Sequence, residues 1–508
     1  MSKSEQDYVL GIDVGTSAIK VLAVDRDGSV MATASRSHPV RSPRTGWSEQ
    51  SPDQWYDATI EAIRRLLEGS ELDPSKVRAI GFAGQMHGLV TLDRERHAIR
   101  PAILWNDQRS ASICLEETER LGLETLLHHT GNRMLPGFTA PKLLWMREHE
   151  PEAYDRIAHV LLPKDHLRLR MGSALATDVS DASGTSVFDC GARTWSDAMF
   201  DALELPANWW PKAWESTEVV DRLNDATADA TGLPAGTPLV AGAGDQAASA
   251  VGTGAVENGV ISTTIGTSGV VFASSDTWRH PEDGSLHAFC HAVPNTWHLM
   301  GVMLNAAACF EWFCREMMPD VVALAEAEGD SPYARVALDA ERVEAGANGL
   351  FFLPYLTGER TPHVDPHARG GFLGLNPSHG RAHMARAVLE GATYGLKDCL
   401  DLIQETGVTP DSIRLSGGGA GGTLWRRVCT DVFGLPTVTT TTTEGTGFGA
   451  ALLAGVGCGF WSTVEEACAG TVHERDRMEP GADEAFYHGG HARYRALYPA
   501  LRNWWAQG

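Results

Sequence analysis

An aspartate stands beside a short turn built from glycine and hydroxyl residues, and the turn recurs later in the chain. Asp13 closes an apolar run and is followed by Gly15-Thr16-Ser17, and half a chain later Gly266-Thr267-Ser268 closes a second such run. A Gly-Thr-Ser turn offers several N–H and hydroxyl donors to a phosphate, and a carboxylate at the preceding strand end suits Mg²⁺, directly or through water. Either turn alone is no more than a hairpin bend. Two of them facing each other could clamp a triphosphate from both sides, which favours phosphate binding. Asp245, between Gly244 and Gln246, follows the apolar run 238–243, where an open α/β sheet places catalytic carboxylates. It could accept a proton from an attacking hydroxyl, or it could merely cap the helix expected from Ala247.

A third loop, Gly84-Gln85-Met86-His87-Gly88, sets an amide, a thioether and an imidazole after a strand. That mixture suits a polyol with one apolar edge, although a lone histidine of this kind is more often structural. Gly417, Gly419 and Gly422 satisfy Gly-x-Gly-x-x-Gly, and Glu444 follows at about the distance of a ribose-binding acid. This pattern supports a different class, a NAD-dependent dehydrogenase, but it lies late in the chain and would leave both Gly-Thr-Ser turns unused. In a kinase the same glycines would let adenine approach the backbone. No Gly-x-x-x-x-Gly-Lys-Ser/Thr, His-Arg-Asp or Asp-Phe-Gly segment occurs, so Walker-type and protein-kinase sites are excluded. Taken singly, Trp47, Glu49, Trp504 and Trp505 read as packing or surface residues. His488 and His491 lack the companions of a metal site.

These residues need a scaffold. The chain has 508 residues, 43% hydrophobic and 21% charged, which is enough for two large globular lobes. Its formal net charge of -23 disfavours nucleic acid and anionic membrane surfaces as partners. The 9 cysteines are scattered and read as reduced buried thiols in a cytoplasm. No signal peptide is visible, and no apolar run reaches the ~20 residues that span a bilayer.

The patterning predicts a hairpin around Gly15-Thr16-Ser17, a helix over 52–67, a strand over 77–81, and helices over 105–121, 141–150 and 153–159. A strand over 238–243 leads to a helix over 247–252, and strands over 260–265 and 270–273 flank the second Gly-Thr-Ser turn. The strand 349–353, helix 384–404, strand 413–415, helix 424–433, Thr-rich strand 437–443 and helix 447–454 follow, with a helical, peripheral tail from 463. The alternation indicates an α/β fold with largely parallel sheets, and the repeated strand-turn-strand layout indicates two related lobes around a cleft. The boundary is set between lobes 1–256 and 257–508.

Assembled, these segments resemble the FGGY carbohydrate kinases over nearly the whole chain. The likeness runs from Gly11-Ile12-Asp13-Val14-Gly15-Thr16-Ser17 through Trp47-Ser48-Glu49-Gln50, Gly84-Gln85-Met86-His87-Gly88, Pro101-Ala102-Ile103-Leu104-Trp105-Asn106-Asp107 and Gly137-Phe138-Thr139-Ala140-Pro141-Lys142. It continues with Leu162-Pro163-Lys164-Asp165, Gly358-Glu359-Arg360-Thr361-Pro362-His363 and Arg386-Ala387-Val388-Leu389-Glu390-Gly391. The resemblance implies two ribonuclease H-like lobes of the actin and hexokinase type around a central cleft. It implies ATP-dependent phosphorylation of the terminal hydroxyl of a small ketose, D-xylulose before ribulose or a sugar alcohol. A non-catalytic sugar sensor on the same fold is the binding-protein alternative, which the intact Asp13 and Asp245 oppose. In that frame Asp245 is the base and Asp13 the metal-associated carboxylate. Met86, His87, Gln246 and Trp47 are expected at the sugar. Gly15, Thr16, Ser17, Gly266, Thr267 and Ser268 are expected at the phosphates, and Gly418, Gly419 and Ala420 at the adenine. A homodimer is the expected assembly. Two positions depart from the pattern: Gln246 stands where such ketose kinases often carry asparagine, and Gly421-Gly422 where Arg-Ser or Lys-Ser is usual. The first bears on sugar choice and the second on nucleotide affinity. Gln85-Met86-His87 replaces the Gln-Arg-Glu of glycerol kinases.

Overall fold

The computed structural model describes residues 5–442 and 444–506. The apolar run Tyr8–Val14 forms a buried strand, paired antiparallel with Ala18–Asp25 and parallel with Val77–Gly84. Around it, among the described residues, a seven-stranded sheet runs Val219–Arg222, Pro238–Val240, Val77–Gly84, Tyr8–Val14, Ala18–Asp25, Val30–Ser37, with Ala243–Gly244 also on Val77–Gly84. A second seven-stranded sheet has the order His287–Cys290, Trp297–Met303, Gly269–Ser275, Ile261–Ile265, Ile413–Ser416, Thr437–Thr440, Glu474–Met478. Each sheet centres on a hairpin bent at Gly-Thr-Ser, and each hairpin has a parallel neighbour on its first strand. The repeat read from the sequence is therefore a repeat of topology.

Two helices of small residues join the sheets. Asp245–Gly252 crosses Gly445–Gly457 so closely that a Cβ on Gly449 would meet Ala248 O at 1.8 Å. On its other side Gly445–Gly457 lies on the first sheet, where a Cβ on Gly81 would meet Ala450 O at 1.9 Å. Glycine is required at both places because backbone touches backbone. The crossing brings the start of Asp245–Gly252 to the ends of the first sheet's strands.

Several expected elements change. The sheets are mixed rather than largely parallel, because each opens with an antiparallel hairpin and ends in an antiparallel edge. The helix expected over 105–121 begins at Ala111, since Asp107 accepts hydrogen bonds from Ser48 N at 2.6 Å and Arg109 N at 2.9 Å and holds a turn. Of the region 153–159 only 153–154 are helical, at the end of Pro151–Tyr154, and His159–Leu161 pairs with Val90–Leu92. The strand expected over 238–243 breaks at Gly242, whose φ is 81°. The Thr-rich strand ends at Thr440, and Thr443 lies outside the described residues. The tail is integral: Glu474–Met478 forms the sheet edge, and Tyr487, Tyr494 and Trp505 join the core beneath it, while Trp504 is exposed. His491 Nε2 donates to Asp398 Oδ1 at 2.8 Å. The cysteines, apart from a half-buried Cys458, are buried and free.

Candidate active site

Asp13, at the end of the central strand, and Asp245, first residue of its helix, are brought within electrostatic range of each other. Burial, with the Asp245 charge second, raises the Asp13 carboxyl to about 7. Lys20 acts in the opposite direction and Glu444 adds to the rise. Burial raises Asp245 to about 6, partly offset by hydrogen bonds from the side chain and backbone of Gln246. A site that leaves carboxyls this undercompensated is one where a cation or a proton is at home. Lys20 and Glu444 form an ion pair, and Glu444 precedes Gly445–Gly457. That pairing sets Glu444 within electrostatic range of Asp13.

The first phosphate-type turn is wired to the sugar-type loop. Thr16 Oγ1 donates to Gln85 Oε1 at 3.2 Å and accepts from Trp105 Nε1 at 3.0 Å. Gln50 Nε2 donates to Thr16 O at 2.6 Å, and Gln85 Nε2 donates to Gln50 Oε1 at 3.0 Å. In the second turn, Gly266 O accepts from Ala307 N at 2.8 Å and Thr267 O from Ala306 N at 2.9 Å, which ties the loop to the helix Ala307–Met317. Gly418–Gly421 is a single 3₁₀ turn. Gly419 packs on Ile265, the residue before Gly266, and Ser416 shares a 2.9 Å hydroxyl contact with Thr264. The Gly266-Thr267-Ser268 turn and the Gly418-Gly419-Ala420 loop therefore adjoin, with Gly418 exposed and Ala420 buried. Gln246 faces the same hairpin, lining a small cavity with Ser249, Thr264 and Phe272.

His87 has a φ of 67°, a conformation uncommon for a residue with a side chain, and its surroundings fix it there. Its carbonyl accepts from Thr139 Oγ1 at 3.1 Å and from Lys142 Nζ at 2.9 Å. Nδ1 lies 3.0 Å from Gly184 O. A carbonyl can only accept, so Nδ1 carries the proton and Nε2 is left as an acceptor. Burial first, then the Lys142 charge, holds the ring neutral. Phe138 stacks on it at 4.6 Å between centroids. Met86 is buried against Gly244, where a Cβ would meet Met86 Cγ at 2.8 Å, so the loop touches the residue before Asp245.

The backing of the site escaped sequence reasoning. Lys142 is fully buried and also donates to Gly137 O at 2.6 Å. Ser180 Oγ accepts from Gly244 N at 3.1 Å, and Ser180 is held by Asp178, which meets Lys164 at 2.8 Å in a buried network with Asp165. Trp47 is set apart from Met86 and His87, packing on Trp145 at 5.2 Å with the Arg109 guanidinium 3.7 Å from its ring centre. Among the described residues no three His, Cys, Asp or Glu side chains converge tightly enough to hold a metal by themselves. That fits a hard cation held by one carboxylate, water and a ligand's phosphates. No helix of the described residues is long and apolar enough to cross a membrane.

The N-terminal domain of the FGGY family of carbohydrate kinases matches residues 8–252 and its C-terminal domain matches residues 261–458. The chain is 41% identical to a xylulose kinase of Escherichia coli, over 97% of this chain and 99% of that protein. A ligand-bound xylulose kinase from Lactobacillus acidophilus superposes with a TM-score of 0.92 at 27% identity, covering 99% of both chains. A gluconate kinase from the same organism gives 0.91 at 27% identity, covering 98% of both.

Proposed function

We propose, on the premise that the chain belongs to the FGGY family of carbohydrate kinases, that this enzyme uses ATP to phosphorylate the terminal hydroxyl of D-xylulose. The observation that carries the reading is the meeting of two half-buried, proton-avid carboxyls, Asp13 and Asp245, beside paired Gly-Thr-Ser turns and a polyol-type loop. The shape of the fold does not choose the sugar, since xylulose and gluconate kinases superpose equally well. The 41% relative favours the ketose.

In this mechanism Asp245 orients the attacking hydroxyl and takes its proton as the bond to phosphorus forms. Gln246, hydrogen-bonded to that carboxylate, keeps it aimed into the cleft. His87 Nε2 accepts a hydrogen bond from a sugar hydroxyl, and Met86 covers the apolar edge of the carbon chain. Trp47 supports the loop region from behind. Gly15, Thr16 and Ser17 meet the phosphates from one side and Gly266, Thr267 and Ser268 from the other, while Gly418, Gly419 and Ala420 line the adenine. Asp13 would hold Mg²⁺, which supplies charge neutralisation for the transferred phosphoryl group. Phosphoryl transfer asks chiefly for alignment and electrostatic compensation, and these rigid turns provide both.

We place the lobe boundary between residues 256 and 257, and infer a cytoplasmic enzyme that assembles as a homodimer and binds no nucleic acid. A coupled assay of ADP release over xylulose, ribulose, glycerol, gluconate and sugar alcohols tests the substrate. The highest kcat/KM for D-xylulose supports it, and a higher value for gluconate replaces it.

A further inference from the structure

A chain of contacts leads away from Asp245. Met86 touches Gly244, His87 follows Met86, and Phe138 stacks on His87. Beyond Phe138 lies His287, from the second sheet, at 5.8 Å between ring centres, itself stacked on Phe289 at 5.4 Å. The segment carrying Arg360 is stitched to the end of the adjoining strand Trp297–Met303. Leu304 N donates to Glu359 Oε1 at 2.8 Å, Thr361 N to Val302 O at 3.0 Å, and Val302 N to Thr361 Oγ1 at 3.1 Å. Val302 and Met300 share one apolar cluster with Met86, Phe138 and Phe289. Arg360, pinned on both sides, is thus delivered to the seam between the lobes. After burial, which is the main cause, the Arg360 charge adds to what keeps both His87 and His287 neutral.

Among the described residues neither the Arg360 guanidinium nor the His287 ring makes a side-chain hydrogen bond or a close ion pair. The adjacent Glu359 compensates it only through space: its Oε1 is committed to the backbone N–H groups of Leu304 and Arg360, and burial, set against the Arg360 charge, raises its carboxyl to about 8. The guanidinium is half-buried, burial lowers its pKa, and its N–H donors meet no protein acceptor, so they are free to meet a ligand. We propose that Arg360 and His287, both from the C-terminal half of the chain, hold the end of the sugar remote from the transferred phosphate, so that the substrate bridges the two lobes. This rests on the kinase reading above. A guanidinium donates well to a ketone oxygen and its neighbouring hydroxyl, and better still to a carboxylate, which it grips in two places. Sugar acids therefore compete for this end of the site.

The test measures steady-state kinetics of the full chain and its Arg360→Met, Arg360→Lys and His287→Leu variants. Arg360→Met is expected to raise the KM for D-xylulose by about tenfold or more, with the KM for ATP within about twofold, because the lost hydrogen bonds reach only the sugar. Arg360→Lys recovers part of the loss. D-gluconate should inhibit the wild type competitively against D-xylulose and lose that inhibition in Arg360→Met. An unchanged sugar KM in Arg360→Met, or a parallel rise in the ATP KM, overturns the assignment. Should Arg360→Met fail to fold, Arg360→Lys and His287→Leu carry the same decision. A wild type that turns over another acceptor but not D-xylulose overturns the substrate reading alone, and the KM for that acceptor then decides the role of Arg360.

Discussion

Replacing Lys142 by methionine tests whether the sugar loop is held from below. Lys142 Nζ donates to His87 O at 2.9 Å and Gly137 O at 2.6 Å, and burial lowers its pKa to about 7. A neutral amine still has two N–H donors, one for each carbonyl, so deprotonation costs neither bond. In Lys142→Met the Gly137 carbonyl loses this donor, whereas His87 O retains Thr139 Oγ1 at 3.1 Å. Losing such bonds costs about 1–3 kcal/mol, offset in part because an ammonium is no longer buried. A left-handed residue such as His87 stores ~1–3 kcal/mol that its surroundings must hold down. Releasing about 1.4 kcal/mol of that restraint corresponds to a tenfold rise in the sugar KM. The expected result is a tenfold higher KM for D-xylulose, an unaltered KM for ATP, and a melting temperature lowered by a few degrees. The sign of the pH effect is fixed as well. A lysine whose folded pKa is about 7, against about 10.4 unfolded, binds more protons when unfolded, so its contribution to stability improves as pH rises between those values. The destabilisation by Lys142→Met should therefore be larger at pH 9 than at pH 7. Equal sugar KM values in variant and wild type would refute the argument, as would a penalty that shrinks with rising pH.

Asp245→Asn keeps shape but cannot accept the sugar's proton, so kcat should fall by about 10²–10⁴ while the sugar Kd, read by calorimetry, is retained. Near wild-type turnover removes Asp245 as the base. Asp13 is raised to about 7 in the folded state, so its favourable contribution is full below about pH 4 and is lost as pH rises through 7. Without Mg²⁺, Asp13→Asn should melt higher than the wild type at pH 8 and no higher at pH 4, and it should demand more Mg²⁺ for turnover. Gly449→Ala places a methyl where Ala248 O lies 1.8 Å from the ideal Cβ, and forcing the joining helices apart should cost about 1–3 kcal/mol in a denaturant melt. An unchanged midpoint would show that the crossing is not tight.

The parts of this site that a reader of the sequence can find are those whose signal is local. Asp13 with its turn, Asp245 beside Gln246, and the Met86-His87 loop each announce themselves within a few residues, because a turn needs its own glycine and a strand end its own apolar run. What escapes is whatever depends on a distant partner. The helix expected from Trp105 fails to start there because Asp107 answers to Ser48, 59 residues away. Lys142 reads as an ordinary helical lysine until its target, a carbonyl 55 residues earlier, is known. The buried Lys164 network matters only through Gly244, which reaches Ser180 across 64 residues. Arg360 and His287 belong to the same class, and they are the sharper case. Nothing beside Arg360 in the chain says that its guanidinium lacks a partner, since that is a property of everything packed around it. Catalytic carboxylates and a loop such as Met86-His87 can be nominated from sequence, but a proposed ligand contact such as Arg360 shows itself only by the hydrogen bonds that the fold leaves unmade.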